Sequence, residues 1–164
     1  MSSTRRQLSL YLSEREAAPL ELVRRRLDPV QAGLIPAHVT LCREDELATV
    51  MLGTAAQRLR DAPALSLCFG KAERFDGHGI RLPCIAGEPE FRALRVRLLG
   101  DVPMRRQLPH ITLAHPRNPQ AAGNRLSMTD CLPQSIPLRF ASIRLIAQVD
   151  GGPWRVLEEF GLGA

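Results

Sequence analysis

Lysine is nearly missing from this chain of 164 residues. Lys71 is the only one, so 21 of the 22 basic residues are arginine. Aromatics are also scarce, with one Trp, one Tyr and five Phe, which leaves few rings for stacking on bases or sugars. There is no Cys-x-x-Cys and no cluster of Cys with His among Cys42, Cys68, Cys84 and Cys131. That argues against a zinc ribbon and against a disulfide framework. No apolar run approaches membrane-spanning length, and the chain opens polar and enters a strand within a few residues. A signal peptide and a membrane partner are therefore not expected, and the protein is expected to be cytoplasmic and reduced. No glycine-rich phosphate loop with a lysine occurs, which excludes ligation driven by a nucleoside triphosphate on a P-loop.

What remains is arginine-rich, with a net charge of +5 and 45% hydrophobic content. A chain of this length can bury a core as a single domain, 1–164. Arginine's planar donor fork suits phosphate, so an anionic or nucleic-acid partner fits the charge. An arginine-rich genome explains the same bias equally well.

The distinctive feature is a string that occurs twice: His38-Val39-Thr40-Leu41 and His110-Ile111-Thr112-Leu113. With four histidines and six threonines in the chain, two His-x-Thr pairs are roughly a one-in-a-hundred coincidence. Each copy carries a β-branched residue between His and Thr and reads as a strand. Residues i and i+2 of a strand share a face. Each His and Thr would then look into one space, while Val39, Leu41, Ile111 and Leu113 look into a core. Two imidazoles and two hydroxyls presented this way form the layout of an acid–base site.

The rest of the chain arranges itself around these strings. A first strand is expected over 7–12. Ser13 and Glu16 have capping-box spacing for a helix reaching Leu27, and Asp28-Pro29 ends it. A loop with Gly33 and Pro36 follows. A helix is expected from Glu44 to about Arg60, with Leu47, Val50, Met51, Ala55 and Leu59 as its apolar stripe. Strands over 64–72 and 80–86 are joined by the turn residues Asp76-Gly77-His78-Gly79. A helix begins at Glu88-Pro89 and stops at Gly100. The segments 103–109 and 116–137 read as connectors, the second with room for one short helix. Strands over 138–149 and 154–160 close the chain. The order strand, helix, His-x-Thr strand recurs in each half. This predicts an α+β fold of two similar lobes, each a small, mainly antiparallel sheet with helices outside.

The paired strings resemble the signature motifs of the 2H phosphoesterase superfamily. Within it the chain resembles the bacterial RNA 2′,3′-cyclic phosphodiesterases, also known as the 2′-5′ RNA ligase family. The resemblance implies a bilobal fold with a pseudo-two-fold axis and a central cleft, one motif from each lobe, and no metal or organic cofactor. It implies hydrolysis of cyclic phosphodiesters, foremost RNA 2′,3′-cyclic ends, with His38 as proton donor, His110 as proton acceptor and a 2′-phosphate product. From the residues alone the two histidine roles stay open. Other substrates also remain, such as ADP-ribose 1″,2″-cyclic phosphate or a 2′,5′-phosphodiester, as does a module that only binds RNA or nucleotides. RNA ends or small cyclic nucleotides are the expected partners. No obligate protein partner is implied, and the chain is expected to be monomeric.

Several residues complete the candidate site. Thr40 and Thr112 supply hydroxyl donors for the non-bridging oxygens. Arg43 and Arg117 follow the motifs and could clamp phosphate at the mouth of the cleft, with solvated surface arginines as the equal alternative. Tyr11 and Phe75 are candidate stacking rings, although core packing is the commoner use. His115 should face away from the cleft, and His78 should be solvated in its turn. Arg24-Arg25-Arg26 and Arg105-Arg106 are expected on solvated faces.

Overall fold

The computed structural model describes residues 1–47, 52–100 and 106–163. In chain order it contains β1 (Thr4–Tyr11), α1 (Glu14–Leu27), α2 (Pro29–Leu34), β2 (His38–Cys42), α3 (Glu44–Leu47), α4 (Ala55–Arg58), β3 (Leu65–Phe69), β4 (Glu73–Phe75) and β5 (Gly79–Ala86). Then come α5 (Glu88–Leu99), β6 (His110–Ala114), β7 (Ile136–Phe140), β8 (Ser142–Val149) and β9 (Arg155–Gly161). The strands follow one path, β7-β3-β5-β6-β2-β1-β8-β9, with β4 beside β5. Every pairing is antiparallel. One lobe is β2-β1-β8-β9 and the other is β6-β5-β3-β7 with β4. The expected α+β fold of two antiparallel halves is present, and the halves join along β2 and β6 into one curled sheet.

That junction has a single registered pair, Val39 opposite Ile111. These are equivalent positions of the two motifs, so the local pseudo-two-fold axis passes between them. Both motif strands show the same burial: His and Thr half-buried, the three remaining residues buried. Val39, Leu41, Ile111 and Leu113 are at most 1% exposed and belong to the main core. The alternation expected from the sequence is therefore the alternation of the fold.

The helices cover the core face with a crossover. Helix α1 touches β6 of the other lobe, and α5 touches β2 as well as β3. Leu20, Val23 and Leu27 of α1, and Phe91, Leu94 and Leu98 of α5, enter the core. Two buried polar anchors strengthen the crossover. Arg95 of α5 pairs with Glu46 and donates to the carbonyl of Leu41 in β2. Asp28, at the end of α1, accepts from the His115 backbone N–H at 2.9 Å and from the Asn118 side chain, just past β6. A third buried group, Arg24, bonds both Glu21 oxygens at 2.9 and 3.0 Å and the Ile35 carbonyl at 2.9 Å. Glu21 in turn accepts from the Ala37 N–H at 2.6 Å, so the segment entering β2 is fixed from inside.

Several expectations are corrected by the structure. Arg24 is 1% exposed and not on a solvated face, whereas Arg25 and Arg26 are exposed as expected. Asp28-Pro29 ends α1 and also starts α2. Asp28 accepts from the Gln31 N–H at 3.0 Å as an N-cap, with Pro29 in the first turn, so the expected loop is partly helical. The helix expected over 44–60 is not continuous: residues 52–54 form a 3₁₀ turn around Gly53, and α4 starts at Ala55. Val50 and Met51 of its expected stripe lie outside the described residues, as does Arg105. The strand expected over 64–72 stops at Phe69. The turn at 76–79 joins β4 to β5 instead, with Asp76 and Gly77 both at positive φ (42° and 83°) as a tight hairpin turn requires. The strand expected over 138–149 is two strands that part at Ala141. Strand β7 pairs with β3, and β8 pairs with β1 and β9, so the chain changes lobe there. Strand β7 begins at Ile136, within the expected connector. Its Pro137 is tolerated because β7 is an edge. The remainder of that connector contains two 3₁₀ turns, Pro119–Ala121 and Leu126–Thr129.

Removing one member of a buried ion pair strands its partner's charge, at a cost of about 3–5 kcal/mol. Arg95→Met should lower unfolding stability by that amount in urea titrations. A loss below about 1 kcal/mol would show that the anchor is dispensable.

Candidate active site

The ladders fix which side chains surround the motifs. Across β1 and β2, Tyr11 lies opposite His38 and Ser9 opposite Thr40. Across β6 and β5, Arg81 lies opposite Thr112 and Pro83 opposite His110. With Val39 facing Ile111, His38 comes next to Thr112 and Thr40 next to His110 on the uncovered face. Two rows of side chains result. One runs Tyr11, His38, Thr112, Arg81, Glu73, and the other Arg144, Ser9, Thr40, His110, Pro83. His38 and His110 occupy a diagonal of the junction. Diagonal neighbours in an antiparallel pair are about 7–8 Å apart at the backbone, room for a phosphate between two rings. Tyr11, Arg43 and Phe75 accompany these histidines, as shown below.

Both imidazoles are oriented in the same way. His38 Nδ1 is 2.8 Å from the Pro36 carbonyl, and His110 Nδ1 is 3.0 Å from the Leu108 carbonyl. A carbonyl only accepts, so each Nδ1 carries the hydrogen and each neutral ring keeps Nε2 as a free acceptor. The matched −2 carbonyls arise from matched strand entries, Pro36-Ala37 and Leu108-Pro109. Gln107 also ties the entry of β6 to the middle of β2, donating to the Thr40 carbonyl at 2.7 Å.

Burial lowers the basicity of both rings. His38 is held down to about 4, mainly by desolvation; the Pro36 carbonyl opposes this, and the charges of Arg24 and His110 add to it. His110 is also lowered, again chiefly by desolvation, with Arg81 and Arg43 pressing the same way and the Leu108 carbonyl and Glu73 opposing. Both rings are thus held towards the neutral form at pH 7.

Each histidine has an aromatic neighbour, and each aromatic has a guanidinium over it. Tyr11 is 6.2 Å from the His38 ring and lies under Arg144 at 5.0 Å. Phe75 is 5.8 Å from the His110 ring and lies under Arg81 at 5.0 Å. Arg81 also bonds Glu73 at 3.0 Å through Nε. The structure thus brings Tyr11 and Phe75 to the histidines, and brings the charge of Arg43 to bear on His110 although Arg43 follows the first motif. Exposed Arg117 instead acts on His115, whose Nδ1 accepts from the Arg117 N–H at 3.2 Å. The His115 backbone N–H donates to Asp28, and His78 is exposed in its turn. Arg81, Arg144 and Ser9 were missed in the sequence. Alternation puts both arginines on the polar face of their strands, Arg81 between buried Ile80 and Leu82 and Arg144 between buried Ile143 and Leu145, but it does not say that these strands flank the motifs.

Among the described residues, no group of three or more His, Cys, Asp or Glu could hold a metal ion. Among them, too, no helix is long and apolar enough to cross a membrane. The arrangement can hold an anion between two imidazoles, accept a proton at either Nε2, and donate from threonine hydroxyls and arginine.

The sequence profile of the 2'-5' RNA ligase superfamily matches residues 12–152, which include both motifs. Solved structures share the fold. E. coli LigT in complex with phosphate is 17% identical over the whole of both chains, with a TM-score of 0.66. LigT in complex with 3'-AMP is 19% identical over 98% of this chain and 99% of that one, with a TM-score of 0.65. A protein of Thermus thermophilus is 21% identical over 98% of each chain, with a TM-score of 0.60. No curated protein matches.

An unfolded histidine titrates near 6.5, above the folded values here, so at acid pH the unfolded chain binds protons first. The stability that depends on neutral His38 is full above about pH 6.5 and is lost as pH falls towards about 4, and lowered His110 contributes in the same direction. The urea midpoint should drop across that window, and less in His38→Gln. An equal drop in that variant would show that His38 is not the source.

Proposed function

The chain belongs to the 2'-5' RNA ligase superfamily, and from that premise we propose that it hydrolyses RNA 2′,3′-cyclic phosphate ends to 2′-phosphates. The observation that carries this reading is the matched tethering of both Nδ1 atoms, which reserves two Nε2 atoms for one gap. In-line opening of a cyclic phosphodiester requires a base on one side of phosphorus and an acid on the other. His110 Nε2 takes the proton of the attacking water as its oxygen bonds phosphorus. The P–O3′ bond breaks, and His38 Nε2 delivers a proton to the departing O3′. Thr40, Thr112 and Arg81 hold the non-bridging oxygens, where fixed donors act most strongly in a water-poor site.

The division of roles follows the family resemblance and sets a condition on His38. With its basicity held to about 4 in the empty cleft, His38 must gain its proton as the anionic phosphate enters. A neighbouring negative charge raises a histidine's pKa. Substrate binding therefore takes up a proton, and affinity should tighten as pH falls from 8 towards 5. The arginine-rich composition and the phosphate and 3'-AMP complexes of LigT accord with RNA ends as substrate; a monomer working in the cytoplasm is part of the same proposal.

The test is turnover of 2′,3′-cyclic nucleotides, cyclic-ended oligonucleotides and ADP-ribose 1″,2″-cyclic phosphate by purified protein in chelator. Activity should persist there. His38→Ala and His110→Ala should each lower kcat by about 10²-fold or more, the range for a placed proton-transfer group. The double variant should be little worse, because acid and base act as a unit. Thr40→Val and Thr112→Val should show smaller losses. A p-nitrophenyl phosphodiester, whose leaving group needs no proton, should rescue His38→Ala and not His110→Ala; the opposite rescue would exchange the roles. Full activity in either His→Ala protein would overturn the mechanism.

A further inference from the structure

Arg144 and Tyr11 form a polar station that the reaction at His38 and His110 does not use. Arg144 lies opposite Ser9, and Ser9 opposite Thr40, so Arg144 stands two strands from the first motif on the cleft face. That is about 9–10 Å at the backbone. Its guanidinium leans over the Tyr11 ring, which lies between it and His38. Arg144 Nε is buried and makes no hydrogen bond. The nearest carboxylate, Glu159, is 3.7 Å away, beyond hydrogen-bonding length, and its side chain is half exposed. The Tyr11 hydroxyl is likewise buried and unpartnered. Burial raises that phenol to about 12 despite the Arg144 charge, so it stays protonated.

The Arg144 side chain is about a third exposed, so the Nη end of its guanidinium, which meets no protein acceptor among the described residues, is open to a ligand, and the unsatisfied Nε and Tyr11 hydroxyl behind it leave the station short of acceptors. A group that only accepts hydrogen bonds, and carries negative charge, suits that guanidinium. A phosphodiester or phosphate monoester meets that description, whereas a base edge presents donors as well as acceptors. The station lies on the His38 side, beyond the reacting phosphate by the scale of one step along an extended strand.

We infer that Arg144 and Tyr11 bind a second phosphate, the one 5′ to the nucleotide whose cyclic end is opened, and so select phosphorylated or oligomeric ends over bare mononucleotides. This rests on the cyclic-phosphodiester reading. The second phosphate could be a preceding internucleotide diester or a terminal 5′-phosphate, and the two are separated by probe.

The experiment compares kcat/KM for adenosine 2′,3′-cyclic phosphate, its 5′-phosphorylated form, and a diadenylate ending in the cyclic phosphate. The last two should be favoured by about 10-fold or more, the scale of a hydrogen bond to a charged group. If only one of them gains, that names the source of the phosphate. In Arg144→Met the advantage should collapse towards one. It should survive in Arg155→Met, which removes an exposed arginine of β9. Calorimetric binding of adenosine 3′-phosphate and adenosine 3′,5′-bisphosphate gives a readout independent of turnover. The bisphosphate should bind about 10-fold tighter to the wild type, and not to Arg144→Met. Equal affinity of the wild type for the two ligands, or a bisphosphate advantage that Arg144→Met retains, overturns the inference. An intact binding advantage with no turnover of any cyclic phosphate sinks the catalytic reading and leaves the station standing.

Discussion

The site depends on the meeting of β2 and β6, where one registered pair, Val39 with Ile111, sets the relation of the two motif strands. A single ladder pair is little hydrogen bonding to hold two rings at a working distance. The core behind it and the crossed anchors do the rest. Asp28 belongs to the first half and holds the segment leaving β6; Arg95 belongs to the second half and holds the end of β2. Each lobe thus fixes the other's motif strand through a buried polar group. Such groups are weak as net stabilisers but severe when broken, which suits a constraint on geometry more than a reserve of stability.

The parts legible in the sequence were those governed by local period and repetition. The His-x-Thr strings announced strands, and the core residues Val39, Leu41, Ile111 and Leu113 followed from alternation. Ser13 and Glu16 announced the start of α1, with Ser13 Oγ meeting the Glu16 carboxylate at 2.8 Å. What was not legible depended on partners far along the chain. Arg24 is buried because Glu21 and the Ile35 carbonyl await it, and nothing in a run of three arginines marks which one turns inward. The break at Ala141 is invisible because β7 and β8 are both good strands; only their different partners separate them. Arg81 and Arg144 look like ordinary polar positions of alternating strands until β5 and β8 are placed in the sheet.

Burial and the arginines together keep a site proposed to take an anion from trapping charge on its own histidines. Burial first, and then the charges of Arg24, Arg43 and Arg81, press His38 or His110 towards the neutral form, so the positive charge beside the rings sits on guanidiniums. In the proposed reaction an arriving phosphate meets guanidinium donors already in place. It then supplies the negative charge that makes protonation of an imidazole favourable.

Pseudo-symmetry places two nearly equivalent histidines side by side, yet the proposed reaction needs an acid and a base that differ. The repeated motif cannot supply that difference, since each ring has the same strand position, the same carbonyl two residues back and an equivalent threonine. It must come from non-equivalent neighbours. His38 has the buried charge of Arg24 behind it and no carboxylate among its perturbers; His110 has Arg81 and Arg43 offset by Glu73. Glu73 holds Arg81 through Nε while the two Nη groups of that guanidinium find no protein acceptor among the described residues. The carboxylate therefore both opposes the lowering of His110 and anchors Arg81, whose guanidinium lies over the Phe75 ring beside His110. The asymmetry that chemistry requires is thus written on β4 and β5 and on the inner face of α1, outside the strings that make the site recognisable.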